Sequence, residues 1–527
     1  MSHNTPLESF INYKANTNKQ CGNYKIDIPT LKENEQYRFH FDMSVCIGCH
    51  CCEVACNEQN NNPSDVKWRR VGEMEAGEFP KVKQLFNSMS CNHCIDPECL
   101  RGCPTNSYIK IDNGIVVHND DSCIGCQYCT WNCPYEVPVF NKERSIVTKC
   151  NMCHEKLAVG QTPACVQACP AGAIQIEVVD KDRWITNDIN HQGVAPHLPD
   201  VSISKPTTRY TLPNFEGEVK AMDEHILKPA HSELPLVLMT VLTQLSVGGF
   251  FALFFGEIAK FLGFNLASPN FILTLAILIP SAVGLIFSAL HLGRPIFALS
   301  AMKNLKTSWL SREAVALGAY TIGLGLIGAL YFVKAHEILL LISQFIVLVV
   351  GVYGIYAQSM IYRVKARASW NRQSTTNRFF GSGYVGFLLV ALMMLDMGAD
   401  RSVMVVLALT LLFGFLQISF VFKEILFYKY LNKNEPNFYQ LNRTKILLEK
   451  NFLNMKNIRF VSLVIFALIL PIMAIVFVAS FKFEYAFMAL MIAVIGGIFS
   501  ELLGRYLFFR TVVPTSLAGN FFMGNQR

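Results

Sequence analysis

Long apolar stretches dominate the second half of the chain. Eight of them follow one another, and several carry no charge at their centres; they cover approximately 233–259, 270–291, 313–333, 337–360, 379–397, 402–422, 460–481 and 484–508. A helix needs about 20 apolar residues to cross a hydrocarbon core ~30 Å thick. A soluble core cannot supply eight such segments in series. The pattern therefore predicts an all-α domain of eight transmembrane helices over 233–510, followed by a tail at 511–527.

The first half has a different pattern of short alternating segments. Ser107–Asp121 alternates apolar and polar positions around an Asn-Gly pair, which predicts a β-hairpin. We therefore expect a small α+β domain of short strands and helices over 1–179. Residues 180–232 are polar, carry several prolines and keep no helical period. This segment is expected to be a linker, either a disordered tether or an extended arm on a partner subunit.

Composition supports this division of the chain. Hydrophobic residues make up 52% and charged residues 16% of the sequence, whereas a soluble domain is usually about one-quarter charged. All 18 cysteines lie between Cys21 and Cys169. The N-terminal residues lack the basic and then apolar layout of a secretory signal, so dense cysteines favour metal ligation over disulfides. No aromatic-interleaved basic stripe points to nucleic-acid binding.

The loops between the apolar stretches differ in basic content. Those after the second, fourth and sixth stretches hold 17 Lys and Arg residues, whereas the odd loops hold Lys260, Lys334, Arg401 and Lys482. Basic loops of membrane proteins stay in the cytoplasm. The charge pattern therefore predicts that both termini, and with them the cysteine-rich domain, face the cytoplasm.

The cysteines outside positions 21 and 51 form four runs with metal-ligand spacing. The first and third runs have spacing x2, x2, x3, the second x2, x4, x3 and the fourth x2, x11, x3. The runs are Cys46, Cys49, Cys52, Cys56; Cys91, Cys94, Cys99, Cys103; Cys123, Cys126, Cys129, Cys133; and Cys150, Cys153, Cys165, Cys169. A proline follows the last cysteine of the second, third and fourth runs.

This spacing is typical of bacterial ferredoxins, in which the fourth cysteine of each run ligates the neighbouring cluster. Zinc ribbons use separated C-x2-C pairs and do not explain such runs. Disulfides are poorly placed between cysteines so close in sequence. Sixteen ligands predict four [4Fe–4S] clusters in a ferredoxin-like domain. Cys21 and Cys51 fall outside the spacing, and we interpret them as free thiols.

Ionisable residues near the ends of the apolar stretches are candidates for chemistry, since burying them is costly. His291, Arg312 and Glu313 fall on the same predicted side as the cysteine-rich domain. A quinol gives up two electrons and two protons, and a His or Glu at the membrane boundary can accept the protons. The histidines within the stretches do not form paired ligands for b-type haems, so we expect no haem.

These motifs resemble those of a known family. The four runs, with PACVQACP in the last, resemble the iron–sulfur subunit of bacterial dimethyl sulfoxide (DMSO) reductase, and PHLPDVSISKPTTRY looks like its C-terminal arm. HSELPLVLMTVLTQLSVGGF, HLGRP, LKTSWLSRE and ELLGRYLFF resemble the eight-span anchor subunit of that family. The departure is fusion, because the two proteins are usually separate polypeptides.

The resemblance implies that clusters are built across runs, first with fourth and second with third. The implied ligand sets are Cys46, Cys49, Cys52 with Cys169; Cys150, Cys153, Cys165 with Cys56; Cys91, Cys94, Cys99 with Cys133; and Cys123, Cys126, Cys129 with Cys103. It also implies a separate molybdopterin-containing catalytic subunit, and menaquinol from the membrane pool as donor near His291, Arg312 and Glu313.

Three alternatives stay open in the sequence. The same electron path run in reverse would serve a dehydrogenase that reduces quinone, such as a formate, thiosulfate, polysulfide or arsenite enzyme. A membrane redox sensor or scaffold would carry structural clusters and no quinone site. For location we expect the bacterial cytoplasmic membrane, but a partner with a twin-arginine signal would carry the iron–sulfur domain to the periplasm.

Overall fold

The computed structural model describes residues 20–21, 24–25, 31–222, 226–262, 270–398 and 400–514. They belong to two compact units, one extending to Lys228 and one covering Pro229–Val513. The first unit is α+β and the second is helical, as the pattern predicts.

The first unit contains short strands in small sheets. The strands are β1 Gln20–Cys21, β2 Tyr24–Lys25, β3 Glu35–Asp42, β4 Arg70–Ala76, β5 Lys83–Met89, β6 Tyr108–Lys110, β7 Val116–His118, β8 Val139–Asn141, β9 Ile146–Thr148, β10 Ile174–Asp180, β11 Arg209–Thr211 and β12 Val219–Ala221. A three-stranded sheet has the order β10-β3-β11, a second has β12-β4-β5, and the other described strands form hairpins β1-β2, β6-β7 and β8-β9. Hairpin β6-β7 confirms the predicted turn at Asn113-Gly114.

Short helices begin within or beside the cysteine runs of this unit. They are Cys51–Asn60, Glu98–Gly102, Tyr128–Asn132, His154–Ala158 and Ala164–Gln167. One hydrophobic core contains buried side chains from β3, β4 and β5, including Phe39, Phe41 and Met74, together with buried cysteines. The buried thiols are therefore part of the core, whereas Cys49 is exposed.

The segment predicted as a linker differs in the structure. Helical turns at Lys181–Arg183, Trp184–Asp188 and Ile189–Gln192 follow β10. Further on, β11 pairs in parallel with β3 and β12 pairs antiparallel with β4. The segment up to Ala221 thus pairs with strands of the first unit that are far away in sequence, which a disordered tether would not do.

Among the described residues, the second unit has eight helices long and apolar enough to cross a membrane, as predicted. Numbered in chain order, spans 1 to 8 are Leu234–Phe261, Phe271–Leu290, Trp309–Phe332, Glu337–Tyr362, Gln373–Asp396, Ser402–Lys429, Leu453–Ala479 and Phe483–Arg510. Span 5 consists of two helices, Gln373–Gly381 and Tyr384–Asp396, and the helix of span 6 begins at Asp400. Span 7 contains a π-helical turn at Ile465–Ile469 between Leu453–Val464 and Leu470–Ala479.

Two connections in this unit are themselves helical. A 3₁₀ helix, Pro295–Met302, joins spans 2 and 3. The helix Phe438–Ile446 and a π-helical turn, Leu447–Asn451, join spans 6 and 7. The N–H of Ala230 donates to the carbonyl oxygen of Arg510 at 3.0 Å. The beginning of span 1 therefore lies beside the end of span 8, and we call this end of the bundle the N-terminal face.

Spans 1 and 5 approach each other very closely. A Cβ atom on Gly248 would lie 2.1 Å from the carbonyl oxygen of Gly383, and one on Gly386 would lie 2.1 Å from that of Leu245. Small residues allow such backbone contact between membrane helices, whose association depends on packing. These glycines thus fix the centre of the bundle.

Candidate functional site

The thiols of the four runs lie in four groups in the first unit. Within each group the thiols interact electrostatically with one another, and each group draws on two runs. The groups are Cys46, Cys49, Cys52 and Cys169; Cys56, Cys150, Cys153 and Cys165; Cys91, Cys94, Cys99 and Cys133; and Cys103, Cys123, Cys126 and Cys129. Neighbouring groups also interact electrostatically: the thiol of Cys165 with that of Cys52, and the thiol of Cys91 with that of Cys150. The structure thus places four thiol quartets in succession.

The same local geometry opens every run. The backbone N–H two residues after the first cysteine donates to its sulfur. The pairs are Gly48 with Cys46, His93 with Cys91, Gly125 with Cys123 and Met152 with Cys150. Gly48 and Gly125 have positive φ values of 67° and 68°, which favour glycine. This tight turn explains the C-x2-C spacing, since it directs successive thiols inward around one centre.

Burial shifts the pKa of several of these thiols. It raises the pKa of Cys165 and of Cys133 to about 12, and it raises the pKa of Cys94 and Cys126 further. Free thiols in these positions would stay protonated at neutral pH. Iron bound by thiolate supplies the positive charge that makes deprotonation favourable. The donor chemistry therefore fits cubane iron–sulfur clusters.

Among the described residues, no three His, Cys, Asp or Glu side chains converge closely enough to hold a single metal ion. A cubane cluster distributes its four thiolates over four irons, so neighbouring thiols that do not converge are compatible with one. The thiol of Cys51 is exposed and hydrogen-bonds with Cys49. The side chain of Cys21 lies outside the described residues.

Two buried cations among the quartets were missed in the sequence. Arg69 is 2% exposed and donates to Ser88 Oγ at 3.1 Å and Ser90 Oγ at 2.8 Å. Burial alone would lower the pKa of Arg69, but thiolates of the first two quartets raise it. Lys149 is 3% exposed, and its Nζ lies 3.7 Å from Cys91 Sγ. Arg69 directly precedes strand β4, and Lys149 directly precedes the fourth cysteine run. A basic residue beside a core strand or a cysteine run was the signal in the sequence that could have identified them.

Two segments of the first unit carry the CxxCH pattern of c-type haem attachment. They are Cys46–His50 and Cys150–His154. Their cysteines, however, belong to the first and second thiol quartets. The CxxCH pattern alone would therefore allow a haem. The expectation of no haem depends on the grouping of these cysteines into quartets and on the lack of paired histidine ligands in the spans.

In the second unit, His291 belongs to a three-residue cluster at the N-terminal face. Its Nδ1 lies 3.2 Å from Glu233 Oε2, and the Nδ1 of His231 lies 3.5 Å from Glu233 Oε1. The side chains of His291 and Glu233 are only 8% and 14% exposed. Glu233 has a left-handed φ of 46°, which is costly for a residue with a side chain and is typical of functional positions.

The other two predicted residues have separate surroundings. Glu313 is 7% exposed and accepts a hydrogen bond from Gln358. Arg312 donates to the carbonyl oxygens of Leu305 and Lys306 at 2.9 and 2.7 Å, and its guanidinium lies 4.3 Å from the ring centroid of Trp309. Arg312 thus fixes the connection between spans 2 and 3, whereas Glu313 faces the interior of the bundle.

Glu313 adjoins a buried polar chain that runs between the spans on the side of the N-terminal face. Gln244 Nε2 donates to Gln358 Oε1 at 2.8 Å, and Arg505 Nη2 donates to Gln244 Oε1 at 2.7 Å. Ser382 also donates to Gln244. Glutamines were missed in the sequence because only ionisable residues were considered there, although any polar side chain inside a span is costly unless it is hydrogen-bonded.

Cysteine quartets in a small α+β unit and eight apolar helices in a second unit define a class of protein. The chain is a membrane-anchored iron–sulfur protein of electron transport. Residues 228–510 match the family model described as DMSO reductase anchor subunit (DmsC), and residues 82–179 match that of a 4Fe-4S dicluster domain. The first match covers more than half of the chain, so the protein belongs to the DMSO reductase anchor subunit family.

Curated relatives match the first half. The B subunit of the anaerobic dimethyl sulfoxide reductase of Haemophilus influenzae is 36% identical over 181 residues, which are 33% of this chain and 87% of the relative. The B subunit of the Escherichia coli K12 reductase is 37% identical over 179 residues, 32% of this chain and 86% of the relative. The iron–sulfur subunit of the nitrate-inducible formate dehydrogenase of E. coli K12 is 38% identical over 172 residues, which are 29% of this chain and 55% of the relative. The resemblance is confirmed: a segment similar to the reductase B subunit and an anchor are fused in one polypeptide.

Proposed function

We propose that this chain is the electron-transfer and anchor subunit of an anaerobic respiratory molybdoenzyme complex. It oxidises menaquinol in the membrane domain and passes the electrons through four [4Fe–4S] clusters to a molybdopterin-containing catalytic subunit. The observation that carries the proposal is the succession of four thiol quartets fused to a bundle with buried carboxylates. The names of the two reductase relatives support the assignment to a DMSO reductase-type complex.

Each quartet is proposed to hold one cluster, with its ligands drawn from two runs. When bound, a cubane cluster supplies one-electron transfer. The protein contributes a buried environment, the N–H donors at the first thiol of each run and the cations Arg69 and Lys149. These features keep water away and set the local charge on which cluster potentials depend.

The proton chemistry is proposed to take place at the N-terminal face. Oxidation of one menaquinol releases two electrons and two protons. The imidazole of His291, held by the Glu233 carboxylate, is one proton acceptor, and the Glu313 carboxylate is the other. Arg312 has a positioning role, because its guanidinium hydrogen-bonds with the loop that carries Leu305 and Lys306.

The test begins with the tagged full chain, purified anaerobically in mild detergent. Roughly sixteen irons per chain and a large molybdenum-containing partner are expected, since each cubane cluster holds four irons. Iron without molybdenum or a partner would contradict the respiratory role and favour the sensor or scaffold. His291→Ala should then be examined for cluster reduction by a menaquinol analogue, which a sensor would leave unchanged.

A second candidate is the same path in reverse, feeding electrons from a dehydrogenase to quinone. The match to a formate dehydrogenase iron–sulfur subunit is the observation that favours it. Cluster potentials distinguish the two directions. A series whose potentials rise from the quinol end toward the partner supports menaquinol oxidation, and a series that falls supports the dehydrogenase.

The loop charges support a cytoplasmic iron–sulfur domain. Protease accessibility in sealed, right-side-out vesicles tests this side. Protection of the first domain agrees with a cytoplasmic location, whereas its digestion would place it in the periplasm.

A further inference from the structure

A cavity of about 220 Å³ lies between spans 5, 6, 7 and 8 and the connection between spans 6 and 7. It is separate from the residues proposed for quinol oxidation. Its walls are apolar at Val421, Ile425, Leu507 and Phe508. Five basic residues but only two glutamates line it: Arg378, Lys429, Lys445, Lys456 and Arg459, against Glu424 and Glu449. The cavity therefore combines an apolar wall with an excess of positive charge.

Part of this positive charge is already compensated. Arg378 Nη1 lies 2.6 Å from Glu424 Oε2, and Arg459 Nη2 lies 3.7 Å from Glu501 Oε2. Within the part of the chain that the structure describes, Lys445 and Lys456 form no ion pair; Lys445 Nζ donates only to the carbonyl oxygen of Lys429, at 3.5 Å. Two lysines at one cavity are thus available to an anion.

Buried polar atoms at the same cavity have no partner among the described residues. They are Ser369 Oγ, Arg378 Nε, Thr444 Oγ1 and Arg459 Nε, on side chains that are at least nine-tenths buried. Leaving buried donors unpaired costs about 1–3 kcal/mol each. A ligand with several acceptor oxygens would satisfy them, and an apolar ligand would not.

The depth of the cavity indicates where such a ligand comes from. Arg378 lies five residues from the start of span 5, Arg459 six from the start of span 7, and Gly504 six from the end of span 8. At 1.5 Å per residue these positions are about 9 Å inside the helix ends. That is the level where lipid headgroups meet the hydrocarbon core, whose thickness is ~30 Å of a ~40–45 Å bilayer. Basic pockets between transmembrane helices bind anionic headgroups.

We infer that this cavity binds an anionic phospholipid. Its phosphate interacts with Lys445, Lys456 and the two buried arginines, and its acyl chain packs against the apolar wall. The inference concerns the anchor alone and does not depend on the direction of electron flow or on the bound clusters.

The experiment measures thermal unfolding of the purified full chain in mixed micelles. Phosphatidylglycerol is compared with phosphatidylcholine at equal mole fraction, and inorganic phosphate is added in a third series. The lipid that stays bound is identified by native mass spectrometry. We expect a larger rise in unfolding temperature with phosphatidylglycerol and little effect of the other two additives.

In Lys445→Gln/Lys456→Gln, the phosphatidylglycerol concentration needed for the same stabilisation should rise roughly thirtyfold, because two lysines near a lipid surface each contribute to binding. The matched control is Lys423→Gln/Lys450→Gln, which removes the same charge from exposed positions that do not line the cavity. Leu448→Trp fills the cavity without changing any charge and should also abolish the preference, while iron content stays that of the unmodified chain.

Several outcomes would overturn the inference. Equal stabilisation by both lipids, or equal behaviour of the lining and control variants, would remove the specific site. Stabilisation by inorganic phosphate alone would assign the cavity to free phosphate. Displacement of bound phosphatidylglycerol by a menaquinone analogue at low concentration would assign it to quinone.

Discussion

Glu313 and His291 both lie near the N-terminal face, but their side chains have different contacts. His291 contacts the carboxylate of Glu233, which also contacts the imidazole of His231. A proton taken up by His291 can therefore be passed to Glu233 and on to His231. Glu313 is buried and has an amide donor, Gln358, that continues into a hydrogen-bonded chain. In the proposed function, these two residues are the two proton acceptors for one quinol.

The first prediction concerns Glu313. Glu313→Gln keeps the side-chain shape and removes the base, so quinol-driven cluster reduction should fall about 10²- to 10⁴-fold. The rate is measured by following cluster absorbance after mixing with a menaquinol analogue. Reduction by dithionite should be unaffected, and Glu337→Gln, at an exposed position at the start of span 4, serves as control. An unchanged quinol rate would exclude Glu313 as a base.

Arg69 gives a second prediction at this scale. Removing its buried positive charge should make the two adjoining clusters harder to reduce, because cluster potentials follow local charge. At an effective dielectric constant of about 20 and a distance of ~7–10 Å, the expected shift is on the order of 50–100 mV downward. Redox titration of Arg69→Gln measures it. Arg69→Lys should restore most of the potential, and if it behaves like the glutamine variant, the effect is structural.

The cysteine runs are elements whose pairing can be tested directly. If clusters are shared between the first and fourth runs, Cys49→Ser and Cys169→Ser should alter the same paramagnetic resonance signal. Cys56→Ser and Cys153→Ser should alter another. Cys51→Ser, outside the runs, should leave iron content and all signals unchanged. A common signal for Cys49→Ser and Cys56→Ser would instead indicate clusters built within one run.

The contact between spans 1 and 5 carries a prediction about packing. Gly386→Ala places a Cβ atom 2.1 Å from the carbonyl oxygen of Leu245. We expect destabilisation of about 1–3 kcal/mol, the usual effect of overpacking, and a lower unfolding temperature in detergent. Gly318→Ala, in span 3 with nothing within 4 Å of the added atom, is the matched control. Equal stability of the two variants would contradict a close helix contact at Gly386.

At the scale of the whole molecule, the side of the membrane on which protons are released determines how much charge quinol oxidation moves across the membrane. If quinol oxidation takes place at the N-terminal face and the protons leave there, this subunit moves little charge across the membrane by itself. A voltage-sensitive dye in proteoliposomes should then report little potential during quinol-driven turnover. A large potential tied to turnover would mean that protons cross the bundle.

The sequence is most informative where one residue type repeats at fixed spacing. The cysteine runs are the example, and the length of the apolar stretches likewise predicts the eight spans. The strands after residue 180 could not be predicted, because β11 and β12 are three residues each and pair with β3 and β4, which are far away in sequence. Similarly, Gln358 contacts Glu313 and Gln244, both more than 40 residues away, and no local pattern encodes such neighbours.

The pairing of β12 with β4 also bears on biosynthesis. The iron–sulfur domain cannot close until Ala221 has been made, and span 1 begins only thirteen residues later, at Leu234. At a synthesis rate of about 5–20 residues per second, that interval lasts on the order of one to three seconds. Iron delivery and membrane insertion of the same polypeptide therefore overlap in time, and a cell short of iron would insert anchors that carry an unfinished electron path.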